Sequence, residues 1–187
     1  FDLDQSESVL SKAYELGIKS KIHVNQFNSF GGIKLALKYK ALSVDHLEVL
    51  SEKDLNDLKS GSTIAVALPT CSYFLGINYT PARKIIDSGL PLAIASDYNP
   101  GSSPSGNMNF VVSTACIKMK LTAEEAINAA TINGAYSMGI SEKAGSITKG
   151  KVANLIITKD INSINEIPYS FGSGKISKII LAGKIIN

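Results

Sequence analysis

The sequence predicts an α/β protein, with four βα units of a parallel sheet followed by part of a small β domain. Three observations carry that reading. Short β-branched runs alternate with helix-like segments over the first two thirds of the chain, which is the pattern of repeated βα units. Those runs are nearly continuous apolar stretches, as expected of parallel strands covered on both faces. Beyond Gly145 the helical texture gives way to turns and strands. A (β/α)8 barrel needs roughly 250 residues, so four units amount to its C-terminal half. An open doubly wound sheet is the alternative from pattern alone. The expected division is residues 1–140 for the barrel part and 141–187 for the C-terminal part of the small β domain.

The elements follow in order. Asp4-Gln5-Ser6-Glu7 resembles a capping sequence, followed by Val9, Leu10, Ala13 and Leu16 at helical spacing. This pattern starts at Phe1 without a methionine, so the chain is expected to be a piece of a longer protein. Strands are expected at Lys21 to Val24, Leu42 to Val44, Thr63 to Leu68 and Pro91 to Ala95. The helices between them are Gly32 to Lys40, Ser51 to Lys59 and Thr80 to Ser88. Ser51 and Thr80 serve as N-caps, and Gly61 and Gly89 stand where helices end. Tyr98 to Gly106, rich in Pro, Gly, Ser and Asn, is a loop. Phe110 to Met119 and Thr122 to Met138 are expected helices, the second opening on Thr122-Ala123-Glu124-Glu125. The tail offers a turn at Gly145 to Lys151 and strands at Ala153 to Thr158 and Ile176 to Ile186, the latter interrupted at Ala182-Gly183.

Composition narrows the function classes. The 187 residues are 44% hydrophobic and 19% charged, with a formal net charge of +3. Scattered lysines without a basic patch argue against nucleic acid, and no apolar run approaches membrane-spanning length. Cys71 and Cys116 lie far apart, without the paired spacing of a zinc site, and read as reduced thiols of a cytoplasmic protein.

The rare polar residues of the strands carry the chemistry. His23 sits in the first strand, Asp45 and His46 close the second, and Asp97 closes the fourth; the chain has no other histidine. Active sites of parallel barrels form at the C-terminal strand ends, and imidazole and carboxylate are standard ligands of a catalytic metal. Taken singly, each has an ordinary structural explanation: a hydrogen-bonded core histidine, or an aspartate opening an Asn-Pro-Gly turn. Taken together, one at each strand end, they point to a shared site. The loop from Asp97 through Asn99, Gly101 and Ser102 to Pro104 adds an amide, hydroxyls and flexible backbone suited to a polar substrate.

Ile22-His23-Val24-Asn25-Gln26-Phe27 with Gly31-Gly32 resembles the metal-histidine strand of the imidazolonepropionases, within the amidohydrolase superfamily, Leu42-Ser43-Val44-Asp45-His46-Leu47 resembles their next strand, and Ala95-Ser96-Asp97-Tyr98-Asn99-Pro100-Gly101-Ser102-Ser103-Pro104 is similar to their most distinctive loop. Ala130 to Tyr136, Gly145-Ser146-Ile147 with Gly150-Lys151, and Ile167-Pro168-Tyr169 with Phe171-Gly172 extend the match along essentially the whole chain. The resemblance implies that His23 and Asp97 bind a zinc or iron ion and that His46 and Asp97 are catalytic. It further implies that Gln26, Asn99, Gly101 and Ser102 contact the substrate. The implied reaction opens the cyclic amide of 4-imidazolone-5-propanoate to N-formimidoyl-L-glutamate in histidine degradation. The family's remaining metal ligands form a His-x-His pair on the first barrel strand. No such pair occurs in these residues, nor do the Arg and Tyr that hold the substrate's propionate, so they are expected upstream. Gln26 stands where the family commonly has glutamate; an amide keeps hydrogen-bonding reach but neither accepts a proton nor carries charge. Rival readings are another amidohydrolase, dihydroorotase-like or deaminase-like, and a metal-free barrel relative acting as a binding module. The partner expected is a small molecule, and the resemblance admits a homodimer.

Overall fold

The computed structural model describes residues 1–186. Its first element is α1 (Leu3–Glu15), capped by Asp2 rather than Asp4: the Asp2 carboxylate accepts from Gln5 N while the Gln5 side chain accepts from Asp2 N. There follow β1 (Lys21–Val24), α2 (Gly32–Lys38), β2 (Ser43–His46), α3 (Glu52–Leu58), β3 (Ile64–Ala67), α4 (Pro69–Leu75), α5 (Ala82–Asp87) and β4 (Leu92–Ile94). Ser51 caps α3 as the sequence predicts, in a reciprocal box with Asp54. Thr80 does not cap α5, which starts after Pro81; its hydroxyl is used elsewhere. Helix α4 was not anticipated, because Pro69 sits at its first turn directly behind a strand and Cys71 to Leu75 is β-like in composition.

The strands β1 to β4 form one parallel sheet in sequence order. That order lacks the reversal that defines a doubly wound sheet, and the fold is that of a partial barrel. Register divides the side chains into two layers. Ile22, Val44, Ala65 and Leu92 are paired in one row, and Val24, Ala67 and Ile94 lie on the same face. All but Ile22 are buried in the larger core, with Ile33, Ala36, Leu55, Leu58 and Ile85 of the surrounding helices, and Ile22 packs against it. The opposite row holds Lys21, His23, Ser43, Asp45, Ile64, Val66 and Ala93. This face is apolar across β3 and β4, where Ile64, Val66, Leu68, Cys71 and Ala93 cluster. Across β1 and β2 it is polar, and Lys21 Nζ lies 3.7 Å from Asp45 Oδ2. In a closed barrel it is the inward face.

Helices α6 (Met108–Met119), α7 (Ala123–Ala130) and α8 (Ile132–Ser137) follow. The single helix predicted over Thr122 to Met138 is broken at Thr131, whose φ of −115° and ψ of −87° lie outside the helical region. Asn133 Nδ2 then donates to Leu92 O at 2.8 Å, tying α8 to β4. Gly145, with φ +89°, passes so close to α8 that a Cβ there would lie 2.6 Å from Ala135 Cβ and 2.9 Å from Thr131 O. Two of the sequence motifs are thus one packing contact. The tail is a separate antiparallel sheet of β5 (Leu155–Thr158), β6 (Ile176–Leu181) and β7 (Lys184–Ile185), with a short helix α9 (Glu166–Tyr169) between the first two strands. Ala182 and Gly183, both at positive φ, make the two-residue turn of its hairpin. No helix of the described residues is long and apolar enough to cross a membrane.

Candidate active site at the strand ends

The C-terminal ends of β1, β2 and β4 each carry a residue in left-handed backbone: Asn25 at φ 57°, His46 at 90° and Asp97 at 51°. Such conformations cost a non-glycine residue on the order of 1–3 kcal/mol and persist where surrounding contacts hold them. At His46 the holding contact is Thr80 Oγ1, which donates to the His46 carbonyl at 2.5 Å. Leu47 follows at φ 67°. Regular alternation would send the His46 side chain to the helix layer beside its partner Val24. Instead its ring lies 4.1 Å from that of His23, centroid to centroid, at 52°. The kink at the end of β2 brings both imidazoles together.

His46 is 3% exposed and bridges two carboxylates: Nδ1 lies 3.3 Å from Glu48 Oε1, and Nε2 lies 3.9 Å from Asp97 Oδ2. Burial, reinforced by the neighbouring His46, holds the His23 imidazole below its ordinary 6.5 against the opposing pull of Asp97. His23 is therefore neutral at pH 7, the form with a lone pair for a metal. An imidazole nitrogen and a carboxylate oxygen match the donor chemistry of zinc or iron. Among the described residues no three His, Cys, Asp or Glu side chains close around a metal position. His23 and Asp97 offer one donor of each kind, at the C-terminal ends of β1 and β4.

The Asp97 loop is organised from within. Asn99 Oδ1 accepts from Gly101 N at 2.9 Å and Ser102 N at 2.8 Å, while its Nδ2 donates to Asp97 O at 2.6 Å and Ser102 Oγ at 2.9 Å. The polar atoms of Asn99 and the backbone N–H groups of Gly101 and Ser102 are thus spent on the loop itself. Ser103 Oγ and Thr70 Oγ1 both donate to Ser96 O, at 2.6 and 2.9 Å, anchoring the loop to α4. Beneath it Cys71 is fully buried; desolvation, with the nearby Asp97 charge, pushes its thiol up to about 11 despite an opposing hydrogen bond from Ser102. Gln26 Nε2 donates to Cys71 Sγ at 3.6 Å, which leaves the Gln26 carbonyl oxygen free as an acceptor. Gln26, Phe27, Glu48, Val49, Ile77 and Asn78 line a cavity of about 380 Å³ at these strand ends. A larger one of about 470 Å³, lined by Ile64, Pro91, Asn133 and Tyr136 among others, lies at the opposite strand ends, the face that carries stability rather than chemistry in barrels.

Sequence reasoning missed Glu48, Cys71 and Ser72. Glu48 follows His46 by two residues, a signal that was present in the sequence. Cys71 and Ser72 lie on the unanticipated helix α4, and nothing local marked them.

The sequence pattern of the amidohydrolase family matches residues 7–186. The chain belongs to the amidohydrolase family. This amidohydrolase chain is 62% identical over 186 residues to the imidazolonepropionase of Flavobacterium johnsoniae, covering 100% of the chain and 45% of that protein. To the imidazolonepropionase of Alkaliphilus metalliredigens it is 40% identical over 187 residues, covering 100% of the chain and 44% of the relative. The chain thus spans about half the length of the curated relatives it matches. Among solved structures it superposes on a zinc-bound adenosine deaminase of Xanthomonas campestris with a TM-score of 0.81 at 21% identity, covering 96% of this chain and 47% of that one. The guanine deaminase of E. coli gives 0.81 at 16%, covering 100% and 52%. At such identities the likeness speaks for the fold, and in both cases it is to about half of a complete enzyme.

Proposed function

We propose that the protein to which this chain belongs is a metal-dependent imidazolonepropionase, opening 4-imidazolone-5-propanoate to N-formimidoyl-L-glutamate in the cytoplasm. The observation that carries the reading is the meeting of His23, His46 and Asp97 at three strand ends, in a chain whose curated relatives bear that name at 40 to 62% identity. His23 and Asp97 would hold the ion, with further donors from outside this chain. A zinc or iron ion there supplies Lewis acidity at the scissile carbonyl and lowers the pKa of water. Asp97 takes the proton of the attacking water and returns it to the departing ring nitrogen as the C–N bond breaks. His46, whose Nε2 lies beside the carbonyl, accepts a hydrogen bond from the attacking water and orients it for the addition. Gln26 accepts a hydrogen bond from the imidazolone ring through the oxygen that Cys71 leaves free. It binds without exchanging a proton. The loop after Asp97 positions its carboxylate, with Gly101 and Ser102 at the substrate's edge.

The test is turnover of the imidazolone by the full-length protein, beside a panel of hydantoin, dihydroorotate and purine substrates. Asp97→Asn should lower kcat by at least about a thousand-fold, as loss of a central acid–base group does. Normal activity in that variant, or preference for another substrate on the panel, would overturn the assignment. Chelation should abolish turnover, and zinc or iron should restore it; undiminished activity without bound metal rejects the metal-dependent mechanism.

A further inference from the structure

Glu48 is the least expected group at the site. Its side chain is 2% exposed, its Oε1 receives both His46 Nδ1 at 3.3 Å and Ser72 Oγ at 3.0 Å, and its Oε2 is buried without a hydrogen-bond partner among the described residues. Burying a carboxylate with one oxygen unsatisfied is destabilising, so this arrangement does not serve stability. A hydrophobic side chain would pack there at lower cost. What the carboxylate does accomplish is directional. An acceptor facing Nδ1 requires that nitrogen to carry a hydrogen, which settles which ring nitrogen is turned the other way.

We infer that Glu48 is the positioning residue of His46: held by Ser72 from α4, it binds Nδ1–H and so presents Nε2 to the reacting atoms beside Asp97. Three restraints from three parts of the chain then define one ring. Thr80 fixes its backbone carbonyl, Glu48 fixes its inner nitrogen, and the His23 ring, 4.1 Å away, limits its tilt. The role of Glu48 is one of orientation. It acts through His46, as the carboxylate behind a catalytic or metal-bound histidine does.

The inference rests on the proposed function for its kinetic arm only. In the full-length protein Glu48→Ala should lower kcat by about 10- to 100-fold, the usual cost of losing such a partner, with KM changed less than about threefold. Glu48→Gln should recover part of the loss, because its amide oxygen still accepts from Nδ1–H. The arm independent of substrate is a nitrogen-15 spectrum of the histidine side chains in the zinc-loaded protein, with His46 assigned by His46→Asn. Wild-type His46 should carry its hydrogen on Nδ1, and Glu48→Ala should lose that preference. Where Glu48→Ala does not fold, Ser72→Ala takes its place, with an expected kcat loss of about threefold, since Ser72 reaches His46 only through the carboxylate it holds. A bare Nδ1 on wild-type His46, or a kcat unchanged in every variant that folds, would overturn the inference. Should the wild-type protein leave the imidazolone intact, the proposed function fails, and the nitrogen spectrum still decides the role of Glu48.

Discussion

Asn99 shows how much of the site rests on single side chains. Its amide satisfies two backbone N–H groups and the Asp97 carbonyl at once. Asn99→Ala should therefore cost about 1–3 kcal/mol of stability, the scale for leaving partly buried polar groups unmatched. It should also lower kcat, because the left-handed Asp97 loses its adjacent brace. A thermal melt and a rate measured together check this, and a variant that keeps both values refutes it. Asn99→Asp should fall between, since it still accepts from Gly101 and Ser102 but cannot donate to Asp97 O. At this scale the sequence was informative about identity and poor about use. His23, His46 and Asp97 were legible because polar residues are rare in apolar strands. The loop-bracing role of Asn99 could not be told from the expected substrate contact, since an Asx turn and a substrate contact ask for the same amide.

The helices and turns show which local signals survive folding. The Thr122 box is an example: Thr122 Oγ1 accepts from Glu125 N at 3.2 Å, and Glu125 Oε2 accepts from Thr122 N at 2.8 Å. Arg83 from α5 then grips the same carboxylate at 2.7 and 2.9 Å. Thr122→Ala should cost about 1 kcal/mol. The hydrogen bonds from Arg83, with a further one from the Thr122 backbone, hold Glu125 below its ordinary 4.5. Its folded value is the lower one, so its stabilising contribution is complete above 4.5 and disappears as acidification carries the pH through that folded value. Glu125→Gln should accordingly melt below wild type at pH 7, with the difference closing as the pH falls below 4.5. Gly145→Ala should cost about 1–3 kcal/mol from its φ alone, before the 2.6 Å approach to Ala135 is counted. Capping patterns were visible in sequence because they involve residues three apart. The break at Thr131 and helix α4 were not, because long-range packing on β4 and the sheet edge sets them.

As a whole molecule, the four-stranded parallel sheet ends in β1 on one side and β4 on the other, with no further strand paired to either among the described residues. The small sheet leaves Ile156, Ile157 and Ile185 46 to 62% exposed. Unpaired edges and apolar faces of this kind invite association. The 187-residue chain prepared alone should sediment as dimers or larger species and bind hydrophobic dyes. A well-behaved monomer would count against this expectation. The order of strands was legible at this scale, since consecutive βα units can only lie side by side in so few ways. How the tail packs on the barrel part was not, because the approach of Gly145 to α8 and the bond from Ser113 Oγ on α6 to Pro168 O on α9 are contacts that no periodicity describes.

The pairing of His23 with Asp45 and of Asp45 with Val66 bears on which changes in chain length this architecture tolerates. Deleting one residue inside Lys21–Val24 would transfer the imidazole from one layer of the sheet to the other, whereas adding one within residues 27–30 would leave it in place. A library of single-residue insertions and deletions should accordingly retain turnover in the connecting segments and lose it abruptly at the strand boundaries, tracing the layered geometry as a pattern of permitted lengths.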